Sequence, residues 1–212
     1  IAGQTDKLII QSYYESDSYK VERFVFRDGT IWDSNAISQQ PVHIAGTEAS
    51  ETITGDYDAP YNEILDGKGG NDTLKGYMGN DTYIFGIGYG VDTIKDEDIT
   101  AGNIDTIRFG EGIDASDITI NRVGSNMEIT VAGQTDKLII QSFFSYEDNS
   151  FKIERFEFSD STVWDAETIR MQPIYRTGTA GSERISGNDS NVYNEIFDGK
   201  GGDDILDRKS VV

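Results

Sequence analysis

The sequence predicts an all-β chain in which Gly- and Asp-rich coils of short strands alternate with compact strand-rich segments. Three observations predict it. A rhythm of glycine, carboxylate and apolar residue runs through "GKGGNDTLKGYMGNDTYIF", with Asp72 and Asp81 nine residues apart (81 − 72 = 9). Short runs of alternating apolar and polar residues fill most of the rest. The whole pattern also returns: "YNEILDGKGGNDTL" at 61–74 reappears as "YNEIFDGKGGDDIL" at 193–206, an offset of 132 (193 − 61 = 132).

The repeat sets the organisation, because a long internal period decides the architecture before any local reading. "AGQTDKLIIQS" at 2–12 returns at 132–142, and "ERFVFRDGTIWD" at 22–33 returns as "ERFEFSDSTVWD" at 154–165. The offset grows from 130 (132 − 2) to 132 (154 − 22) where "YYESDSYK" becomes "FFSYEDNSFK". The chain is thus a window of about one and a half tandem units. Its expected segments are the end of a strand-rich β domain at 1–45, a coil at 46–98, a strand-rich domain at 99–177 and the start of a second coil at 178–212. Within the strand-rich segments the strand signals are "DTIRF", "ITINRV", "MEITV", "KLIIQ", "KIERFEF" and "TVW", with "VGSN" at 123–126 as a turn. Only "WDAETIRM" at 164–171 reads as helix, with Asp165 as its N-cap.

The 212 residues suffice for one or two domains with real cores. The charge is −20, from 38 acidic and 18 basic residues. That balance excludes nucleic acid and anionic lipid as natural partners and favours a multivalent cation. There is no cysteine, so disulfides, thiolate metal sites and a cysteine nucleophile are excluded. No apolar run reaches the ~18 residues of a membrane span. The start, "IAGQTDKLIIQS", reads as mid-strand rather than as a signal peptide.

The nine-residue frame has a physical reading. With Asp72 at position six, Gly67, Gly70 and Leu74 fall at positions one, four and eight, and Gly76, Gly79, Asp81 and Tyr83 repeat them. One frame earlier stand Glu63 and Leu65. Glycines permit the tight bends. The apolar residue at position eight can be buried only if units stack, which makes a solenoid. With two strands per turn, carboxylates 18 residues apart share an edge, as Glu63 and Asp81 do (81 − 63 = 18). Asp72 and Asp81 then face opposite edges. Stacked carboxylates repel unless a cation lies between them. Calcium, with roughly 6–8 oxygen ligands and tolerant geometry, suits such loops better than magnesium. Zinc and copper would want His or Cys, and His43 is the only histidine.

These residues match the G-G-x-G-x-D-x-U-x calcium-binding repeat of β-helical proteins. The chain resembles the RTX (repeats-in-toxin) family, with haemolysin-type calcium-binding repeats in a parallel β-roll. Its strand-rich part, from "DTYIFGIGYGVDTIKDED" through "FKIERFEFSDSTVW", resembles the related domain that accompanies such repeats. The resemblance implies Ca2+ as cofactor, shared by loops one turn apart. Carried over, carbonyls of Ala59 and Tyr61 with Glu63 meet carbonyls of Gly76 and Met78 with Asp81. Lys68, Gly70 and Asp72 meet Ile87, Tyr89 and Asp92, across a turn lengthened by two residues in "FGIGYG". Thr47, Ala49 and Glu51 meet Gly67, Gly69 and Asp72, with three residues bulging near "DYDAP". Thr179, Gly181 and Glu183 with Gly199, Gly201 and Asp204 repeat that arrangement. Glu51, Glu63, Glu183 and Glu195 stand where the family prefers Asp.

Asp96, Asp98 and Asp105 are expected to be solvated loop carboxylates, with Asp105 able to close a last turn. The extra residues of "FGIGYG" are expected to mark the end of the regular coil. Trp32, Trp164, Tyr13, Tyr14, Phe143 and Phe144 are read as packing residues, and His43 as a surface residue. No catalytic constellation, phosphate loop or nucleotide fingerprint is present, so no enzyme is expected. The resemblance implies a calcium-binding structural module of a large secreted bacterial RTX protein, toxin or adhesin, that folds outside the cell after type I secretion. Its partners would be calcium ions and neighbouring repeat units. A surface- or glycan-binding module and an accessory domain of a secreted enzyme are the alternatives.

Overall fold

A computed structural model describes residues 21–98, 100–145, 153–187 and 193–207. The chain falls into two compact units, Ile1–Gln40 and Pro41–Val212. In the first, β1 (Arg23–Val25) and β2 (Ile31–Asp33) pair as an antiparallel hairpin and lead into helix α1 (Ser34–Ser38). The sequence did not announce α1, because Ser34 and Asn35 are poor helix formers. The cap drives it: Asp33 accepts the Ala36 N–H at 2.8 Å. Tyr13 and Tyr14 lie outside the described residues.

The second unit is a coil. Its first strands are β3 (Val42–Ala45), β4 (Thr52–Thr54), β5 (Glu63–Asp66), β6 (Thr73–Lys75), β7 (Thr82–Phe85), β8 (Val91–Ile94) and β9 (Thr106–Phe109). Odd strands pair in parallel as β3-β5-β7-β9 and even ones as β4-β6-β8, so each pair of strands completes one turn. After β9 come β10 (Ile118–Val123), β11 (Asn126–Val131), β12 (Lys137–Ile140), β13 (Arg155–Glu157), β14 (Val163–Trp164) and helix α2 (Ala166–Met171). β10 and β11 form an antiparallel hairpin about Gly124, at the expected "VGSN" turn.

The strand-rich segment builds onto the coil's own sheets. β12 continues in parallel from β8, and β13 from β9. The coil therefore does not end at "FGIGYG": those two extra residues bulge out, and the strand after them, β8, still lies on β6. Chain order then closes with β15 (Pro173–Thr177), β16 (Arg184–Ser186), β17 (Asn194–Asp198) and β18 (Ile205–Asp207). β15 joins β10 on one side and β17 on the other, while β16 and β18 pair separately.

Position eight of the frame makes the core. In one sheet Leu65, Tyr83, Ile107 and Phe156 lie in register, and in the other Ile53, Leu74, Ile94 and Ile140. All eight are buried. Each such side chain contributes roughly 1.5–3 kcal/mol on burial. Phe143 and Phe144 are buried as expected, and Trp164 packs against Phe156 and Phe158 while staying partly exposed. α2 starts two residues later than the sequence suggests, because Trp164 belongs to β14; Asp165 caps it by accepting the Thr168 N–H at 2.8 Å.

Candidate metal centre

The turns place the position-six carboxylates in two ladders, one along each edge of the coil. On one edge the Glu51 N–H donates to Asp72 Oδ1 at 2.8 Å, and the Asp72 N–H to Asp92 Oδ1 at 2.9 Å. On the other the Glu63 N–H donates to Asp81 Oδ1, and the Asp81 N–H to Asp105 Oδ1, both at 2.8 Å. Asp72 and Asp81 thus stand on different edges. Each carboxylate uses one oxygen to hold the previous turn's strand start.

The second oxygens carry the chemistry. Glu63 Oε2, Asp72 Oδ2, Asp81 Oδ2 and Asp92 Oδ2 are buried and have no hydrogen-bond partner. A buried unpaired polar atom costs about 1–3 kcal/mol, and more when charged. Natural folds satisfy such atoms, and the two pairs, Glu63 with Asp81 on one edge and Asp72 with Asp92 on the other, are placed where a cation could satisfy them. Burial pushes Asp81 up to about 9, with the charges of Glu63 and Asp96 adding to it. Burial likewise takes Asp92 up to about 7 and raises Glu63.

Glycine makes the space. A Cβ on Gly76 would lie 2.1 Å from Asp81 Oδ2, so glycine is there for room, not for bending. Gly79 needs both: its φ is +136°, and a Cβ would lie 1.9 Å from the Tyr61 carbonyl oxygen. That close approach puts Tyr61 of one loop against the next loop. Gly76 O likewise lies by Gly55, Gly67 O by Gly46, Gly70 O by Gly90, and Ala49 O by Gly70. Lys68 and Tyr77, at position two, adopt φ of 70°, as a loop with inward carbonyls requires.

Other expected ligand residues are placed as follows. The Ala59 carbonyl accepts the Tyr61 N–H at 2.8 Å, and the Thr179 carbonyl accepts the Gly201 N–H at 3.2 Å. The Thr47 N–H donates to Glu51 Oε2 at 2.7 Å. Gly69 lies against Glu48, and Met78 shares the loop of Gly76 and Gly79. Ile87 and Tyr89 lie in the bulged turn, where the Tyr89 ring meets Phe85. In the second coil the Glu183 N–H donates to Asp204 Oδ1 at 3.1 Å, Gly199 O lies by Gly178 and Gly181 O by Gly202. Glu195 differs from its counterpart Glu63: Arg176 Nε lies 2.7 Å and Arg122 Nη1 3.1 Å from its Oε1.

Two expectations are corrected. Asp96 and Asp105 are not solvated; they are 2% and 3% exposed. Burial pushes Asp105 up to about 10, with the Asp96 charge next in weight. Two further acids went unread in the sequence. Asp136 is buried and accepts the Gly88 and Gly90 N–H groups at 3.0 and 2.8 Å. Glu154 accepts the Asp105 N–H at 2.9 Å. Glu154 adds a further rung to its edge from within the strand-rich segment, while Asp136 holds the bulged turn, because the residue in register with Asp92 is Leu138. A signal existed for Glu154, which stands two residues before the buried Phe156, as position six does before position eight.

Residues 1–36 and 126–168 match the haemolysin-type calcium binding protein related domain. The chain is also 34% identical over 105 residues to the iron-regulated protein FrpA of Neisseria meningitidis serogroup C. That alignment covers 49% of this chain and 9% of the relative's length. The matched residues fall in the strand-rich segments and cover the later part, from 126, of the stretch 81–164 on which the sequence resemblance is placed; the offset repeat explains why the domain is met at two places. Two stretches of the chain are thus similar to the haemolysin-type calcium-binding-related domain, the coil between them has the parallel two-strand turns of a β-roll, and the chain spans about a tenth of the length of the curated relative it matches.

Proposed function

We propose that the chain is a calcium-dependent structural module whose Gly-rich turns fold around Ca2+. The observation that carries this reading is the set of four buried, unpartnered carboxylate oxygens aligned on two edges. Glu63 with Asp81, Asp72 with Asp92, and Glu51 with Asp72 supply the carboxylates in the first roll, and Glu183 with Asp204 in the second. The loop carbonyls of Tyr61, Gly76, Gly67, Gly70 and Ala49 complete the oxygen shells. Bound Ca2+ supplies the positive charge that lets these groups ionise in a dry interior, so binding free energy becomes folding free energy.

The finer reading places the module in a large secreted bacterial protein, toxin or adhesin, where neighbouring repeat units are its first partners. Affinities of extracellular calcium modules, on the order of 10⁻⁴–10⁻³ M, suit a chain unfolded inside the cell and folded outside it. The test is circular dichroism and calorimetry in millimolar calcium against EDTA. The expected outcome is loss of the parallel roll in EDTA and its return with calcium. An equally cooperative transition in both buffers would overturn the reading.

A further inference from the structure

We propose that the outer edge of β3 is a docking edge for the strand-rich segment of a neighbouring repeat unit, which adds a strand there as β10 does on β15. Tandem units would then join through a continuous sheet rather than through a flexible linker. The inference rests on the reading of neighbouring repeat units as partners and gives that partnership a surface; it does not depend on calcium.

The repeat supplies the comparison. Shifted by 132 residues, β13, β14, α2, β15, β16, β17 and β18 fall on β1, β2, α1, β3, β4, β5 and β6. Residues 2–45 repeat 132–177, and β9, β10 and β11 have no second copy in the sequence. Each of the two compact units carries one surface that its repeat counterpart covers with those strands.

In the second unit that surface is the edge of β3. The Val42 and Gly46 N–H groups donate to the Asn62 and Asp66 carbonyls of the β5 side at 2.9 and 2.8 Å. Alternate residues of a strand aim their N–H groups to opposite sides, so those of His43 and Ala45 face the other edge. No strand pairs with that edge among the described residues. On β15 the equivalent edge is filled. β10 runs parallel to it, with Ile120 opposite Ile174 and Asn121 opposite Tyr175. Ile174 is fully buried, whereas its counterpart Val42 (174 − 132 = 42) is only half-buried. A row of unpaired N–H and C=O groups is a template for one more strand.

In the first unit the surface is the phenylalanine face of β1, and it points to the same segment independently. Phe156 and Phe158 are 0% and 6% exposed, because β13 lies on β9 and Phe158 stacks on Phe109 at 4.8 Å. The Arg155 N–H donates to the Asp105 carbonyl at 3.1 Å, at the start of that pairing. The counterparts are Phe24, Phe26 and Arg23 (156 − 132 = 24; 158 − 132 = 26; 155 − 132 = 23). Among the described residues β1 pairs with β2 alone, and Phe26 is 40% exposed beside Trp32. β1 thus lacks a β9-type strand and β3 a β10-type strand. β9 and β10 are consecutive in the chain, so one segment supplies both partners.

The test extends the full chain with a further copy of its residues 99–131 placed ahead of Ala2, which keeps the native order because 132–142 repeats 2–12. Amide hydrogen exchange is measured in calcium. Expected is at least tenfold slower exchange at His43, Ala45 and Arg23 than in the original chain, and unchanged rates with a Gly/Ser extension of the same length. The chain has no cysteine, so a disulfide can read the register. Asn121→Cys with Tyr175→Cys should close in the original chain, and Asn121→Cys of the added copy with His43→Cys in the extended one. Unchanged exchange in the extended chain, equal slowing by the Gly/Ser extension, or an open second cysteine pair beside a closed first would each overturn the docking edge. Exchange in EDTA tests the calcium reading separately: rolls equally protected with and without calcium sink that reading and leave the strand pairing as measured.

Discussion

Glu63 and Glu195 occupy the same place in successive units (195 − 63 = 132) and meet opposite fates. Glu63 is buried, with Oε1 accepting the Asp56 N–H at 3.2 Å and Oε2 unpartnered. Glu195 lies between the guanidinium groups of Arg176 and Arg122. Arg122 also stacks on Phe144 at 4.6 Å. Where unit one has Ile44, unit two has Arg176 (176 − 132 = 44). The difference teaches that a position-six acid defines a need for positive charge, not its source. Inside the roll the proposed source is an ion from solution; at the join between β10, β15 and β17 the chain brings its own.

The largest test of that contrast is calcium removal. The roll around Glu63 should melt in EDTA at pH 8 while the Glu195 joint keeps its hydrogen-exchange protection. Acid should partly rescue the melted roll. Asp81 and Asp92 have native values raised to about 9 and about 7, against the ordinary 3.8. Such raised groups contribute stability that is present below pH ~4 and is lost as pH rises through those native values. The calcium-free chain should therefore melt at a higher temperature at pH 5 than at pH 8, and the calcium-bound chain should not. A calcium-free melting point that rises toward pH 8 would break the argument.

Next in size is Glu195→Gln, which leaves two guanidinium groups facing a neutral amide. Breaking such a buried pair costs about 3–5 kcal/mol, and here the cost should be the same with and without calcium in denaturant titrations. Arg176→Ile makes unit two resemble unit one. It should lower stability by about 2 kcal/mol without calcium and by less with it, because an ion can then serve Glu195. An equal loss in both conditions would show that the joint has no metal alternative.

The smallest effect probes what the two rolls share. Lys68 and Lys200 hold φ of 70° and 67° at equivalent places. Glycine at either should relieve strain of about 1 kcal/mol, read as a small rise in melting temperature. The exposed ion pairs of these lysines with Asp66 and Asp198 offset little of that. A large difference between the two sites would mean that calcium loading, not local backbone, sets the loop geometry.

Much of the site was legible in the sequence because the nine-residue frame couples a local signal to a repeating environment. Leu65, Leu74 and Tyr83 could be assigned to the core, and Glu63 and Asp81 to one edge, by counting alone. The frame failed where insertions broke it. Asp105 follows four extra residues, so Asp96 and Asp105 looked like ordinary loop acids, yet both are buried. Glu154 lies 49 residues beyond the rung it extends (154 − 105 = 49) and Asp136 lies 46 beyond the Gly90 it holds (136 − 90 = 46), too far for any local period.

By itself the sequence determined the all-β character, the tandem period, the inward residues and the alternation of edges, because each follows from short-range periodicity. Only the tertiary structure decided which carboxylates end without a partner and which meet an arginine. It also decided that the strand-rich segment continues the roll's own sheets rather than packing beside them. Those outcomes depend on which strands meet across tens of residues, and pairing of that kind is set by the packing of the whole coil.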